Sequence, residues 1–463
     1  MGAEKDIIVA LELGSSAIRA IAGRKKPDGS MLVLAIAQEK NTNAIRKGMV
    51  DNMDKTTQAI SNVKEQLEHK LNTHIIQVYV GISGQSLRTR HNKVAHTFQE
   101  KKLITGDIID DMLHTNLGVL YPNAQILEAI PLEYLISNRL VADPVGMQSE
   151  SIEAHYANIT LRPNICKDIE NCIRNAGLEI AGTFISPLAL ADCIFTNSDK
   201  RSGCALADIG ADTTTIAFYD GGVLRHLIVI PMGGSNVTKD IASENIDIEE
   251  AEELKLKYGT AYNSDEAINA EKIAISHGRE IYEQKLKEIT EARYEELILN
   301  IWEQVKGKGK LLSGITFVGG ASRIKDFTTA FSKHTKSEIP ARLAKDLPEN
   351  ISPDLGIQLT EVENLQTLMG LLLKGTEPCV GDAPKEQDHV QTVIDFETHI
   401  EPEEKEPEEK ENKEKPKQTP ANEEGEKNQN TPQEPEKPKT SFSAQVGKLW
   451  KKFISSLEDE SED

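Results

Sequence analysis

The feature that most restricts the fold of this 463-residue chain is a pattern that occurs twice. Near the start an apolar run, Ile7–Leu13 (IIVALEL), breaks at Gly14-Ser15-Ser16 and resumes over residues 18–22. About 195 residues later, residues 203–219 (GCALADIGADTTTIAFY) repeat the order of apolar strand, acidic residue, glycine-bearing turn and second strand. A short apolar run bounded by turn residues reads as a buried strand. Glycine lets the backbone turn tightly between two such strands. The recurrence predicts two lobes of like fold.

Between and beyond these hairpins the texture alternates. Residues 31–37 extend the first hairpin to a meander, and 56–71 carry apolar residues at helical spacing (Ile60, Val63, Leu67, Leu71). Residues 77–162 contain short strands around a helix starting at Thr105-Gly106-Asp107, which predicts a small inserted α/β unit. Residues 248–298 read as mostly helical, 312–320 as a buried strand ending in Gly319-Gly320, and 362–373 as an apolar closing helix. The predicted fold is α/β and two-lobed. Residues 1–76 and 163–203 form lobe one, interrupted by the insertion at 77–162. Residues 204–242 and 311–376 form lobe two, interrupted by a fourth subdomain at 243–310. Residues 377–440, rich in Glu, Lys, Pro, Gln and Asn, have the composition of a disordered linker, and 441–463 form a terminal helix.

The formal charge of −21 opposes nucleic-acid binding, because a phosphate backbone would be repelled. Roughly half of that charge lies beyond residue 376. Five cysteines without metal-ligand spacing fit free thiols in a reducing compartment. Neither a signal peptide nor a spanning segment is read, so membrane contact is expected from the surface.

The two turns carry the chemistry. In a tight Gly hairpin, backbone N–H groups and hydroxyls can approach phosphate oxygens closely. The carboxylates that close the two strands, Glu12 and Asp208, can hold Mg²⁺ through water and so neutralise phosphate charge. Two such hairpins facing each other would clamp a triphosphate. No residue offers itself as a catalytic nucleophile, and the catalytic residues are left unknown.

These motifs resemble the phosphate-1, phosphate-2 and adenosine turns of the actin/DnaK-chaperone/sugar-kinase ATPases. Within that superfamily the chain is similar to the FtsA family of bacterial cell-division proteins. The similarity runs over about residues 5–375, through Lys47-Gly48-Met49-Val50, Val80-Gly81-Ile82-Ser83-Gly84, Asp143-Pro144-Val145-Gly146-Met147, Ala176-Gly177-Leu178, Pro231-Met232-Gly233-Gly234 and Thr238-Lys239-Asp240-Ile241-Ala242. It continues in residues 251–259 (AEELKLKYG). The resemblance implies an actin-like, ribonuclease-H-like fold with ATP and Mg²⁺ in the cleft. Gly14, Ser15 and Ser16 would touch phosphates from one lobe, and Gly210, Asp212, Thr213 and Thr214 from the other. Gly233, Gly234, Glu252 and Lys255 would surround ribose and adenine, with Gly319, Gly320, Ala321 and Ser322 lining the adenosine pocket. Departures from the family pattern, Glu12 for Asp, Ala211 and Asp212 for Gly, Thr215 for Asp and Asp326 for Gly, imply slow or absent turnover.

The resemblance also implies partners. The inserted unit would serve self-polymerisation and contacts with later division proteins. The fourth subdomain would bind the acidic C-terminal peptide of FtsZ, with Lys285 and Arg293, eight apart on one helix face, as candidate cations. At the C-terminus Phe442, Val446, Leu449, Trp450, Phe453, Ile454 and Leu457 fall in a stripe about 120° wide, with Lys448, Lys451 and Lys452 on the other side. That is the composition of a helix lying in the plane of an anionic membrane surface. The expected function is an ATP-binding, polymerising adaptor that holds FtsZ filaments on the inner face of the cell membrane at the division site. A sugar-kinase-type phosphotransferase and a pilus-assembly adaptor of the same fold are the alternatives.

Overall fold

The structure, a computed structural model, describes residues 6–40, 43–263, 271–344, 348, 350–354 and 365–381. The two hairpins sit at the centres of two sheets wired alike. In the first, Ile7–Leu13 pairs antiparallel with Ala17–Lys25, which pairs antiparallel with Met31–Lys40; on its other edge Ile7–Leu13 runs parallel to Gln77–Ile82. In the second, Cys204–Ile209 pairs antiparallel with Thr214–Asp220, which pairs antiparallel with Val223–Ile230; on its other edge Cys204–Ile209 runs parallel to Ile315–Val318. Register coincides as well. Glu12 stands opposite Arg19, and Asp208 opposite Thr215.

Burial explains why these segments are strands. Ile7 to Leu11 are five consecutive buried residues, so both faces of that strand are covered, as in α/β layers. Met53–Leu71 packs on the first sheet through Ala59, Ile60, Val63 and Leu67. The closing helix, Gln366–Lys374, lies against Ile7–Leu13 and Ser186–Ile194 with its first seven residues buried. Burying one such aliphatic side chain contributes about 1.5–3 kcal/mol.

The inserted unit is an antiparallel sheet of three long strands, Arg88–Leu103, Gln125–Ile136 and Gln148–Leu161, with the last lying between the other two, covered by the helix Gly106–Leu117. It has a core of its own, built on Ile104, Ile108, Met112, Tyr134, Ile152 and Tyr156. It joins lobe two edge to edge. Arg88 pairs with Ile228, and the Thr89 hydroxyl accepts from the Leu227 amide at 3.0 Å, making one nine-stranded sheet.

Two sequence expectations are corrected by this geometry and a third is refined. Gln77–Ile82, counted with the inserted unit, is a central strand of the first sheet, because its near-continuous apolar run suits burial on both faces; the excursion begins after it. Residues 248–298 are mostly helix but not one helical run. A helix Ile248–Tyr258 is followed by a hairpin, Lys272–Ile275 with Arg279–Tyr282, before the long helix Glu283–Val305. The folded body also runs past residue 376. Val380–Gly381 pairs with His74–Ile75, and the Cys379 amide donates to the Ile7 carbonyl at 2.7 Å. The rest of the expected linker and the whole terminal helix, with its Phe442–Leu457 stripe and its lysines, lie outside the described residues.

Candidate functional site

Each hairpin closes with the same bond. The Gly14 amide donates to the Ala17 carbonyl at 3.2 Å, and the Gly210 amide donates to the Thr213 carbonyl at 2.9 Å. The two turns face one another across a cleft of ≈ 1380 Å³. Its floor holds Glu12 and Asp208. Its walls include Gly14, Ser15 and Ser16 from lobe one and Gly210 and Thr213 from lobe two. Gly234, Glu252, Lys255, Gly319, Gly320 and Ala321 line it further out.

The floor is electrostatically tense. Burial raises both carboxylates above their ordinary range. Asp208 is pushed up to about 7, by burial first and the Glu12 charge second. For Glu12 the opposing influences are Arg19, its cross-strand neighbour, and a hydrogen bond with Thr367 of the closing helix. Among the described residues, Glu12 Oε2 is buried without a hydrogen-bond partner. Two facing acids, one with an orphaned oxygen, fit a divalent cation or its bound water, because a positive charge there would let both ionise.

Close packing fixes the turns. A Cβ on Gly319 would lie 2.5 Å from Asp208 Oδ1 and 2.4 Å from the Ile209 carbonyl, and its φ is +85°. A Cβ on Gly233 would lie 2.4 Å from the Gly210 carbonyl. The second turn is thereby strapped to the helix Gly234–Ala242, whose Gly234 and Ser235 amides donate to the Gly210 and Ala211 carbonyls at 3.0 and 2.8 Å.

Four of the expected nucleotide contacts stand elsewhere. Thr214 is fully buried and donates to the Met232 carbonyl at 2.9 Å. Ser322 is buried and donates to the Gly319 carbonyl at 2.8 Å. Gly233 packs behind the turn rather than lining the cleft. Asp212 accepts a hydrogen bond from the Lys47 amide of lobe one. Alternation explains Thr214, since strand neighbours point to opposite faces and Thr213 takes the cleft side.

Glu252 and Lys255 form one knot, with the lysine buried and the glutamate half-exposed. Lys255 Nζ lies 2.6 Å from Glu252 and 3.0 Å from the Thr238 hydroxyl, which also bonds Glu252. Lys285 and Arg293 share the helix Glu283–Val305, but both already have acids. Arg293 holds Asp240 in a two-pronged bond, 2.6 and 3.0 Å, and also meets Glu296; Lys285 lies 3.5 Å from Glu244. A peptide carboxylate would have to displace these partners.

Sequence reading missed three cleft residues. Arg19 lines the floor, its Nε without a hydrogen-bond partner among the described residues; Gln366 and Thr367 arrive from the closing helix. Arg19 was findable, because it falls directly opposite Glu12 once the hairpin register is drawn. Thr367, some 355 positions from Glu12, left no local signal.

Two like-wired lobes, a cleft floored by paired acids and an inserted subdomain after the fourth strand of lobe one define the actin-like class. The chain is similar in fold to a structure of a PilM-PilN type IV pilus biogenesis complex, with a TM-score of 0.56, 17% identity, and coverage of 80% of this chain and 99% of that one. Residues 205–369 match the family described as cell division protein FtsA, and 84–160 match the SHS2 domain inserted in FtsA. The FtsA of Buchnera aphidicola subsp. Baizongia pistaciae is 30% identical over 390 residues, 80% of this chain and 91% of that protein. The FtsA of Porphyromonas gingivalis is 28% identical over 383 residues (81% and 79%), and that of Escherichia coli K12 27% over 359 (73% and 85%). The chain belongs to the FtsA family of cell-division proteins.

Proposed function

We propose that this chain is a nucleotide-dependent adaptor of cell division, binding ATP with Mg²⁺ in its interlobe cleft and assembling into polymers. The observation that carries it is the pair of glycine turns, identically closed and facing each other above Glu12 and Asp208. The turn amides and the Ser15, Ser16 and Thr213 hydroxyls would receive phosphate oxygens. Glu12 and Asp208 would hold the cation, which supplies charge neutralisation for the phosphates. The pocket around Gly234, Glu252, Lys255 and Gly320 would take the nucleoside. Bridging both lobes, the ligand would favour the closed cleft, because it gains contacts only when both turns reach it. Turnover would be slow, since Asp212 adds negative charge beside the second turn.

The remaining roles follow from the family and from the tail composition. The subdomain at 243–310 would receive the C-terminal peptide of FtsZ, with Lys285 the more available cation, because Arg293 is doubly engaged. The inserted unit would serve self-association and later division partners. The amphipathic stripe from Phe442 to Leu457, with Lys448, Lys451 and Lys452, would hold the assembly on anionic lipid at the inner face of the membrane.

Two measurements test this. Calorimetric titration of the purified chain with a non-hydrolysable ATP analogue and Mg²⁺ is expected to show saturable binding, weakened when Mg²⁺ is chelated; absence of binding overturns the proposal. Liposome flotation is expected to show lipid binding that disappears when residues 441–463 are removed, and retained binding would assign the membrane contact elsewhere.

A further inference from the structure

The short hairpin that follows the first meander, Ile45–Arg46 with Met49–Val50, turns over the two residues Lys47 and Gly48. Both have positive φ, +51° and +71°, as a tight two-residue loop requires. Lysine adopts such an angle at a cost, so its surroundings must hold it there. The hairpin's own ladder leaves the two loop amides to bond elsewhere. The Gly48 amide donates to the Ser15 hydroxyl of the first glycine turn at a long 3.5 Å. The Lys47 amide donates to the Asp212 carboxylate of the second turn at 3.2 Å. One hairpin tip of lobe one therefore touches both turns of the cleft.

The tip is fixed to its own lobe. The Lys47 carbonyl accepts from the Gln85 amide at 3.1 Å, and a Cβ on Gly48 would lie 2.7 Å from the Gly84 Cα. Gln85 stands just ahead of the strand Arg88–Leu103, so the tip also meets the entrance to the inserted unit. The donor is thus a pre-set backbone amide, and only the Asp212 side chain has to be ordered to meet it. The cleft wall is formed by Gly210, Ala211 and Thr213 around that residue, so a ligand between the turns need not displace the Asp212 carboxylate. Glycine, which the family pattern has at position 212, offers no such acceptor.

We infer that the Lys47–Asp212 contact is a latch that holds the interlobe cleft closed when no nucleotide is bound. The inference rests on reading the cleft as a nucleotide site. The two partners belong to different lobes, so opening the cleft breaks their bond and closing restores it. A contact made in one state only shifts the population towards that state. A nucleotide closes such a cleft by accepting bonds from both lobes, and here a carboxylate of the chain itself accepts one of them. The closed form would then persist with the cleft empty, and nucleotide would tune closure rather than switch it on.

Hydrogen exchange in the nucleotide-free full chain, read at single amides, tests this. Asp212→Ala removes both charge and acceptor, whereas Asp212→Asn removes the charge and keeps an acceptor. Expected is exchange about tenfold faster at the Lys47 and Gln85 amides in Asp212→Ala, with wild-type exchange in Asp212→Asn. The Gln85 amide makes no bond to Asp212, so its response reports movement of the tip rather than loss of one bond. Amides of the core strand Ile7–Leu13 serve as reference, because global destabilisation would speed them as well. Release of a non-hydrolysable ATP analogue with Mg²⁺ should also be about tenfold faster from Asp212→Ala than from Asp212→Asn, two variants of equal charge. Equal exchange in the three chains overturns the latch, as does faster exchange confined to Lys47 or equal release from the two variants. If the wild-type chain binds no analogue, the nucleotide reading falls, and the exchange result alone decides the latch.

Discussion

The backbone amide of Lys47 donates to the Asp212 carboxylate at 3.2 Å, and that bond spans the cleft from lobe one to lobe two. Gly48, the next residue, packs on Gly84 so closely that a Cβ on it would lie 2.7 Å from the Gly84 Cα. Asp212 thus ties the second turn to a loop whose own position is sterically fixed.

Asp212→Asn keeps an acceptor for Lys47 and removes a negative charge beside the second turn. It is expected to tighten ATP binding about threefold to fivefold while leaving adenosine binding unchanged, since one screened unit charge several ångströms away is worth about 0.5–1 kcal/mol. Calorimetry with both ligands checks this; an equal change for both would place Asp212 outside phosphate range.

Gly319→Ala is expected to destabilise the protein by about 2–4 kcal/mol. The new methyl would press on Asp208 Oδ1 and the Ile209 carbonyl from a backbone angle that L-residues resist. Urea denaturation measures it, and a loss below about 0.5 kcal/mol would mean that the turn relaxes freely.

His226 makes stability depend on pH. Burial, with Lys308 adding to it, depresses its pKa from the ordinary 6.5 to about 4. Above the unfolded value both states are neutral and this contribution to stability is fully present. As pH falls from about 6.5 towards 4, the unfolded chain takes up a proton that the native ring refuses, and about 3 kcal/mol is lost. His226→Gln should remove that slope, so the stability difference between variant and wild type should move in the variant's favour on acidification. A constant difference from about pH 7 to about pH 4.5 would contradict it.

Arg293→Ala should cost about 1 kcal/mol, because it leaves Asp240 and Glu296 without their partner on a half-buried surface. Lys285→Ala should be nearly neutral, since its contact with Glu244 is long and exposed. Fluorescence anisotropy with an FtsZ C-terminal peptide is expected to show the larger specific loss of binding in the Lys285 variant, once both are compared below their unfolding transitions.

The parts of the fold visible in sequence were those encoded by local periodicity. The runs around Gly14 and Gly210 announced two hairpins, and the helix Met53–Leu71 announced itself through Ile60, Val63 and Leu67. The parts hidden were set by pairing across long chain separations. Gln77–Ile82 is apolar wherever it is placed, and only its partner Ile7–Leu13 assigns it to lobe one. The hairpin at Lys272–Tyr282 was masked by charged residues that suit a solvated helix or a solvated strand equally well. Within the site, the places of Gly14, Ser15 and Gly210 at the cleft follow from turn chemistry, which is local, whereas Lys255, on the helix Ile248–Tyr258, comes from the family resemblance alone. The surroundings of Thr214, Ser322 and Arg293 are not legible, because the partner each satisfies, Met232, Gly319 or Asp240, is chosen by tertiary packing. Asp326 is instructive: its φ of +61° explains why glycine suits that position.

The edge-to-edge junction at Arg88 and Ile228 makes the sixteen-residue strand Arg88–Leu103 an oar whose handle is gripped by lobe two. At about 3.3 Å per residue the blade is about 50 Å long, so a rotation of about 5° at the grip sweeps its tip through about 4 Å. Small adjustments at the second turn would reach the far end of the inserted unit as a larger displacement, with the backbone ladder itself as the transmission.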